Sequence, residues 1–272
     1  MEWIQVTERE VAVTALGFDR FAAELRAEAD AFASTVDGAD LALRVPTCPE
    51  WTLEQLVHHV GRAYYWATAI ITSATTTFIP FESVPEAVLP EQPGKYGDWL
   101  RNGAEQLVSA VAETGAESTV WTWAQDRRAG FWLRRLTHET VVHRADAAFT
   151  AGRPYELAAD LAADGVSESL ELLASRMMVM PSPALASLAG TGQTLHFHAT
   201  DDGLGDAGEW LIRCTPDGPL WEHGHGKADV AVRAAAADLL LVLTGRIDAD
   251  NAKIEVFGDD ALFGHWRENA KF

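Results

Sequence analysis

A glutamate and a histidine, both able to bind a metal ion, stand four residues apart in RRLTHETVVHRAD as Glu139 and His143. Because an α-helix turns about 100° per residue, this spacing places both side chains on one face. Leu136 and Val142 lie in the same sector, so this face is predicted to be buried. An ionised carboxylate buried there needs a partner, since an unpaired charge costs roughly several kcal/mol. The candidate partners are a metal ion, Arg135 and a hydrogen bond with His143.

The same projection assigns the other polar residues of this segment. Asp146, three residues after His143, falls on the buried side. It either accepts an imidazole N–H, as carboxylates behind metal-binding histidines do, or is an ordinary charge near the helix end. The side chains expected on the solvent-facing arc are those of Arg134, Thr137 and Arg144. His138 and Glu139 begin the spacing H-E-x-x-x-H, which differs from the H-E-x-x-H of zinc proteases and disfavours protease chemistry.

A third metal-binding side chain is offered by WTLEQLVHHVG at residues 51–61, which has helical periodicity. His59 lies at the border of the apolar stripe, whereas His58 projects to the opposite, solvent side. We therefore expect His59 to point inward. Joined to Glu139 and His143, it would give two imidazoles and one carboxylate, which leaves coordination positions open as in catalytic zinc sites.

Composition narrows the class of protein. The chain has 272 residues, 48% hydrophobic and 22% charged, which is ordinary for a folded globular protein with one large core or two. Its formal net charge of -19 opposes nucleic-acid binding. No apolar run approaches the length of a membrane span, and the acidic N-terminus does not resemble a signal peptide, so a cytoplasmic location is expected. Cys48 and Cys214 are far apart in sequence and imply no disulfide framework.

Long amphipathic segments in the first half predict an antiparallel four-helix bundle. In this bundle Thr52 is the expected N-cap of the second helix, and Gln55 completes a capping box. A Pro-rich crossing loop spans residues 75–95. The four predicted helices cover about residues 9–36, 52–74, 96–114 and 130–150.

The period changes from helical to alternating in the second half. A further helix is predicted at about 155–178, followed by a linker to about 192. Short strands and two helices then indicate a small α+β domain. The chain is thus expected to be an α+β protein, with a helical bundle in residues 1–180 and the small domain in 190–272. The predicted strands are TLHFHAT, EWLIRCT, LWEHGH, ADVAVR and KIEVFGD, and the predicted helices are ADLLLVLTGR and ALFGHWREN.

Two pairs of histidines have the spacing of one strand face. His196 and His198 stand in LHFHAT, and His223 and His225 stand in WEHGHG. Such pairs can bind metals, but each strand lacks a carboxylate or thiolate in ligand position. We therefore expect polar-face histidines rather than a second metal site.

Read together, TCPEWTLEQLVHHVG and LTHETVVHRADA resemble the mycothiol-dependent maleylpyruvate isomerase family. The resemblance extends to ADLLLVLTGR and VFGDDALFGHW and so covers nearly the whole chain. It implies a DinB-like four-helix bundle followed by the smaller α+β domain of that family. It also implies a divalent metal, usually zinc, bound by His59, Glu139 and His143.

The resemblance further implies that Arg246 of the L-T-G-R segment acts at the active site from the C-terminal domain. From its own sequence position, Arg246 is instead expected to cap the C-terminus of a helix. As a catalytic residue, it would hold a substrate carboxylate through paired hydrogen bonds. Cys48, in the TCPEW turn, is expected to be a packed small side chain rather than a nucleophile.

The function expected from these features is that of a metalloenzyme, an isomerase or thiol S-transferase. It would activate a low-molecular-weight thiol, which the resemblance suggests is mycothiol, for addition to a small electrophilic substrate. One alternative keeps the metal and uses bound water in a hydrolase or cyclase-like reaction. A second alternative is a non-enzymatic protein that binds a small molecule, with Glu139 and His143 as a buried polar pair. Neither nucleic acid nor membrane is an expected partner.

Overall fold

The first half of the chain folds as the predicted helical bundle. The computed structural model describes residues 16–250 and 253–270. The first bundle helix packs on the third and the fourth, and the second packs on the same two. Residues 9–15 of the first predicted helix lie outside the described residues. The four bundle helices are α1 (Phe18–Val36), α2 (Leu53–Thr72), α3 (Tyr96–Thr114) and α4 (Ala129–Ala151).

α4 is buried on almost every side, which corrects the solvent-facing arc expected from its sequence. Thr137 and Arg144 are buried, and Arg134 is half-buried between Asp164 and Glu171. The reason is that α4 packs against the other bundle helices while its remaining face meets the helix that follows it. A charged residue can occupy such a face only when a partner of opposite charge faces it.

A short hairpin precedes α2 and was not predicted. It consists of β1 (Arg44–Val45) and β2 (Cys48–Thr52), which pair antiparallel. Thr52 ends the hairpin and caps α2, and Gln55 completes the predicted capping box, which is confirmed. This cap fixes where α2 begins and therefore which of its residues face α4. The predicted loop between α2 and α3 contains three short 3-10 turns.

α5 (Ala159–Val179) lies between the bundle and the C-terminal part of the chain. It packs on the C-terminal helix α7 (Ala236–Leu243). It also faces α4 through ion pairs, including Asp164 with Arg134. α5 thus contacts both parts of the chain, and the division into residues 1–180 and 190–272 stays a prediction. The predicted linker contains one helical turn, α6 (Pro183–Ala186).

The C-terminal part is a five-stranded sheet with helices on one face, and the predicted α+β class is confirmed. The strands are β3 (Thr194–Ala199), β4 (Glu209–Thr215), β5 (Gly218–His223), β6 (Val230–Ala234) and β7 (Glu255–Gly258). Their order in the sheet is β5-β4-β3-β6-β7, with β3 parallel to β6 and the other pairs antiparallel. The helices of this part are α7 and α8 (Asp260–Ala270).

The core of this part lies on the helix-covered face of the sheet. Phe197 of β3 packs on Phe263 and Trp266 of α8. Because side chains alternate along a strand, the neighbours of Phe197 point to the opposite face. Within residues 16–250 and 253–270, no helix has both the length and the hydropathy that a membrane span requires.

The bundle is predicted to require both partners of the ion pair between Arg144 of α4 and Glu28 of α1. Both side chains are at most 10% exposed, and the guanidinium makes two hydrogen bonds to the carboxylate. Arg144→Met should lower the free energy of unfolding by about 3–5 kcal/mol, because it leaves a buried charge without compensation. Denaturant unfolding curves measure this loss, and Glu28→Gln in the same chain should restore much of it.

The exposed pair Arg233–Glu255 supplies the matched control. Arg233→Met should lower the free energy of unfolding by less than about 1 kcal/mol, because solvent already screens that pair. Equal losses in the Arg144→Met and Arg233→Met proteins would contradict the importance of the buried pair.

Candidate metal and thiol site

The site lies where α2 crosses α4, directly behind the hairpin. His59 is two turns into α2, and its Nε2 lies 2.8 Å from Oε1 of Glu139 on α4. The ring of Trp51, from β2, packs on the His59 imidazole with centroids 4.6 Å apart. His59 therefore points inward as predicted, and the cap at Thr52 sets the helical phase that directs it.

His143 joins them from one turn further along α4. Its Nε2 lies 3.2 Å from the same Oε1 of Glu139, and its ring stands nearly perpendicular to that of His59 at a centroid distance of 5.0 Å. One donor atom from each of His59, Glu139 and His143 lies within 4.8 Å of the other two. The structure thus brings together the three residues predicted to bind metal, and their ligand role stays a prediction.

The donor set suits a borderline divalent metal. Two imidazole nitrogens and one carboxylate oxygen are ligands that zinc accepts, at about 2.0–2.2 Å from each atom. The three residues lie at the edge of the bundle core, with His59 and Glu139 about a quarter exposed and His143 buried. Solvent therefore reaches the His59 and Glu139 side of the cluster.

Arg135 holds the other oxygen of Glu139. Its Nη2 lies 2.6 Å from Oε2 of Glu139, while Nη1 bonds the buried Glu168 of α5. Burial would raise the pKa of Glu139, but Arg135, His143 and His59 together hold it well below its usual value. Arg135 and the hydrogen bond with His143, two of the three candidate partners named from the sequence, are thus both present. Arg135 binds on the far side of the carboxylate, so Oε1 still faces the two imidazoles.

Asp146 stands behind His143. Its side chain is fully buried, and Oδ2 lies 2.8 Å from Nδ1 of His143. Burial raises the Asp146 pKa, but the hydrogen bond from His143 and the charge of Arg246 outweigh it and hold the pKa below its usual value. Of the two roles expected for Asp146, an N–H acceptor and an ordinary helix-end charge, the structure bears out the first. With Nδ1 donating to Asp146, Nε2 is the ring nitrogen that faces Glu139, and it donates to Oε1 of that carboxylate.

Arg246 reaches this carboxylate from the C-terminal part of the chain. Its Nε and Nη2 lie 3.2 and 3.3 Å from the two oxygens of Asp146, and its side chain is 7% exposed. Its Nη1 donates to the carbonyl of Thr244, the C-cap residue of α7, as the capping expectation requires. Arg246 therefore contacts the residue that orients His143. Its catalytic role stays a prediction.

Two further residues of the hairpin meet Asp146. Thr47 donates its hydroxyl to Oδ1, and the Cys48 thiol lies 3.8 Å from Oδ2. Burial and the Asp146 charge raise the pKa of the Cys48 thiol, which disfavours a nucleophilic thiolate. Thr47 was not identified from the sequence, because nothing in its local pattern shows that the turn folds back on α4.

His58 and His138 lie away from the cluster. His58 is half-buried with its ring 6.3 Å from that of Trp99, and is not directed to solvent as expected. The reason is that α3 packs along this side of α2. His138 is buried on the opposite face of α4, where Nε2 lies 2.6 Å from Asp164.

Comparisons with known proteins place the whole arrangement in a family. The sequence pattern described as mycothiol maleylpyruvate isomerase N-terminal domain matches residues 22–148, and the one described as MDMPI C-terminal domain matches residues 160–265. No curated protein matches the chain significantly.

Two solved structures share this fold: mycothiol-dependent maleylpyruvate isomerase and a variant of it with histidine replaced by alanine. Each superposes with a TM-score of 0.59 at 15% identity and is covered over 93% of its length. The alignments span 89% of the present chain for the first structure and 88% for the second. With both domain patterns matched in order, the chain belongs to the mycothiol-dependent maleylpyruvate isomerase family.

Proposed function

We propose that this protein is a mycothiol-dependent metalloenzyme, an isomerase or thiol S-transferase that acts on a small electrophilic substrate. The observation that carries the proposal is the convergence of Nε2 of His59, Oε1 of Glu139 and Nε2 of His143 in a chain of this family. The solved enzyme with the same fold is named for its dependence on mycothiol, which supports the choice of thiol.

His59, Glu139 and His143 would hold a divalent cation, with zinc favoured by the donor types. Three protein donors match the ligand number of catalytic rather than structural zinc sites. A cation bound there would lower the pKa of a coordinated thiol and so supply a thiolate at neutral pH.

The remaining residues prepare this donor set. Asp146 accepts the N–H at Nδ1 of His143, so that Nε2 faces Glu139 and is the nitrogen a metal ion would bind in place of its proton. Arg135 holds one oxygen of Glu139 and keeps the carboxylate ionised, which leaves the other oxygen for the site. Trp51 packs on His59 and limits the freedom of its ring. Each orienting contact lowers the cost of organising the site when its ligands arrive.

Arg246 is the residue proposed to act on the substrate. Its guanidinium already holds Asp146, so it is first a positioning residue in this structure. Its positive charge, brought from the C-terminal part to the His143 end of the cluster, would also attract a substrate carboxylate. Maleylpyruvate, after which the solved relative is named, carries a carboxylate.

Thiol dependence is the direct test of the proposed reaction class. Zinc-loaded protein should isomerise maleylpyruvate, or conjugate a related electrophile, only when mycothiol is present. Mycothiol at a hundredfold excess over its dissociation constant should also stabilise the fold by about 3 kcal/mol, measured as a rise in melting temperature. Undiminished turnover without thiol would contradict the proposal and favour metal-bound water as the nucleophile.

Metal content tests the ligand set separately from the reaction. After chelation, zinc reloading and desalting, His59→Ala protein should contain one equivalent of zinc less than the wild type, because it lacks a direct ligand. His58→Ala is the matched control and should retain wild-type content, since His58 faces Trp99. Full zinc content in the His59→Ala protein, measured by elemental analysis, would show that the ligand set is wrong.

Asp146→Asn tests the orienting role of the buried carboxylate. Loss of its charge should weaken zinc binding by about 10–100-fold, because His143 loses its anionic partner. Asp164→Asn is the matched control, since Asp164 also joins a histidine and an arginine, His138 and Arg134, but away from the site. Competition titration against a zinc chelator measures both affinities. Equal affinities in the two variants would refute a specific role for Asp146.

A further inference from the structure

A second cluster of histidines forms on the face of the C-terminal sheet that α7 and α8 do not cover. His196 and His198 are two residues apart on β3, the central strand, and both point away from the core that Phe197 enters. Their ring centroids are 6.1 Å apart. Two imidazoles are thus held side by side by a strand that is paired on both edges.

The carboxylate that β3 lacks is supplied by the neighbouring strand. Glu209 begins β4 and is the direct antiparallel partner of His198. Its Oε1 lies 2.6 Å from Nδ1 of His198, and its Oε2 lies 2.5 Å from Nε2 of His196. Glu209 is 11 residues from His198 in sequence, so the local pattern of β3 does not contain it. The antiparallel pairing brings the missing carboxylate across.

A third imidazole comes from the loop that follows β5. His225 places Nδ1 3.2 Å from Oε1 of Glu209, and its ring is perpendicular to that of His196 at 5.0 Å. The next residue, Gly226, lies so close to Leu211 of β4 that a Cβ there would be 3.1 Å from its side chain. The loop that carries His225 therefore packs directly against β4. His223 takes no part, since it turns to the core side and contacts Ser167.

We propose that His196, His198, Glu209 and His225 form a second metal site, specific for a divalent transition-metal ion such as Zn²⁺. One donor atom from each residue lies within 4.8 Å of the other three. Three imidazole nitrogens and one carboxylate oxygen are the ligands that zinc and its neighbours in the first transition row prefer over magnesium or calcium. The site is separate from the proposed catalytic cluster, since none of its ligands belongs to the bundle.

The ligand count indicates a structural role. Four protein ligands close the coordination shell of zinc, whereas catalytic sites keep a position open. His196 is buried and His198 half-buried on the sheet, but His225 is 75% exposed in its loop. A bound ion would therefore fasten the loop to the centre of the sheet. We expect ion binding at this site to increase the stability of the folded chain and to leave turnover unchanged.

Zinc binding by tag-free, full-length protein tests this site. His225→Ala and Glu209→Gln proteins should each contain one equivalent less than the wild type after zinc reloading, and the same loss should occur when His59→Ala is also present. Removal of either direct ligand should weaken affinity by more than about 100-fold, since loss of an outer partner alone costs about 10–100-fold. His265→Ala, at an exposed histidine of α8, is the matched control and should retain wild-type content.

Cobalt substitution gives a second readout, which reports the ligands of the bound ion directly. His59→Ala protein titrated with Co²⁺ should develop ligand-field absorption, and the further change His225→Ala should abolish it. Zinc should also raise the melting temperature of His59→Ala protein, with no rise after the further change His225→Ala. Zinc content that is the same in wild-type, Glu209→Gln and His225→Ala proteins would overturn the proposal and leave a hydrogen-bonded cluster. Failure of the catalytic cluster would appear instead as unchanged content in His59→Ala.

Discussion

The polar cluster between α2 and α4 depends on one half-buried carboxylate, that of Glu139. An ionised group at this depth must be compensated, and here the compensation is divided between its two oxygens. Arg135 takes Oε2 and is in turn held by Glu168 of α5, while Oε1 faces His59 and His143. The division explains how a stable fold can keep one oxygen directed at two imidazoles. Without Arg135, the same carboxylate would tend to gain a proton and lose its value as a ligand.

The charge arrangement continues along α4 into the C-terminal part. His143 is hydrogen-bonded to Asp146, and Asp146 is held by Arg246, which lies just beyond α7. A fully buried aspartate is stable only with such partners. The orientation of an imidazole in the bundle is therefore coupled to the placement of the C-terminal sheet. This contact gives a physical reason for the two parts to occur in one chain, because the second completes the polar environment of the first.

Periodicity predicted the bundle, the α+β order and the inward direction of His59, because each depends on residues close together in sequence. It failed for α4, where Thr137 and Arg144 were expected in solvent but are buried. A helix surrounded by other helices has no solvent-facing side. Its charged residues, such as Arg134 and Arg144, form ion pairs with those helices instead. The hairpin contacts to Asp146 were equally hidden, since they depend on the tertiary position of a turn. The partners of buried polar residues such as Asp146 come from segments distant in sequence, so the local pattern does not reveal them.

The dependence on residues distant in sequence also explains why the sequence predicts a metal site at Glu139 and His143 but not at His196 and His198. In α4 the spacing of four brings a glutamate and a histidine together, so the carboxylate is visible beside the imidazole in the sequence. In β3 the spacing of two brings two histidines together, and the carboxylate of Glu209 arrives only through strand pairing. Both clusters take two side chains from one element, at the period of that element, and the rest from elsewhere in the fold. The absence of an acidic residue near a histidine pair in the sequence is therefore only weak evidence against a metal site. A neighbouring strand can provide the carboxylate.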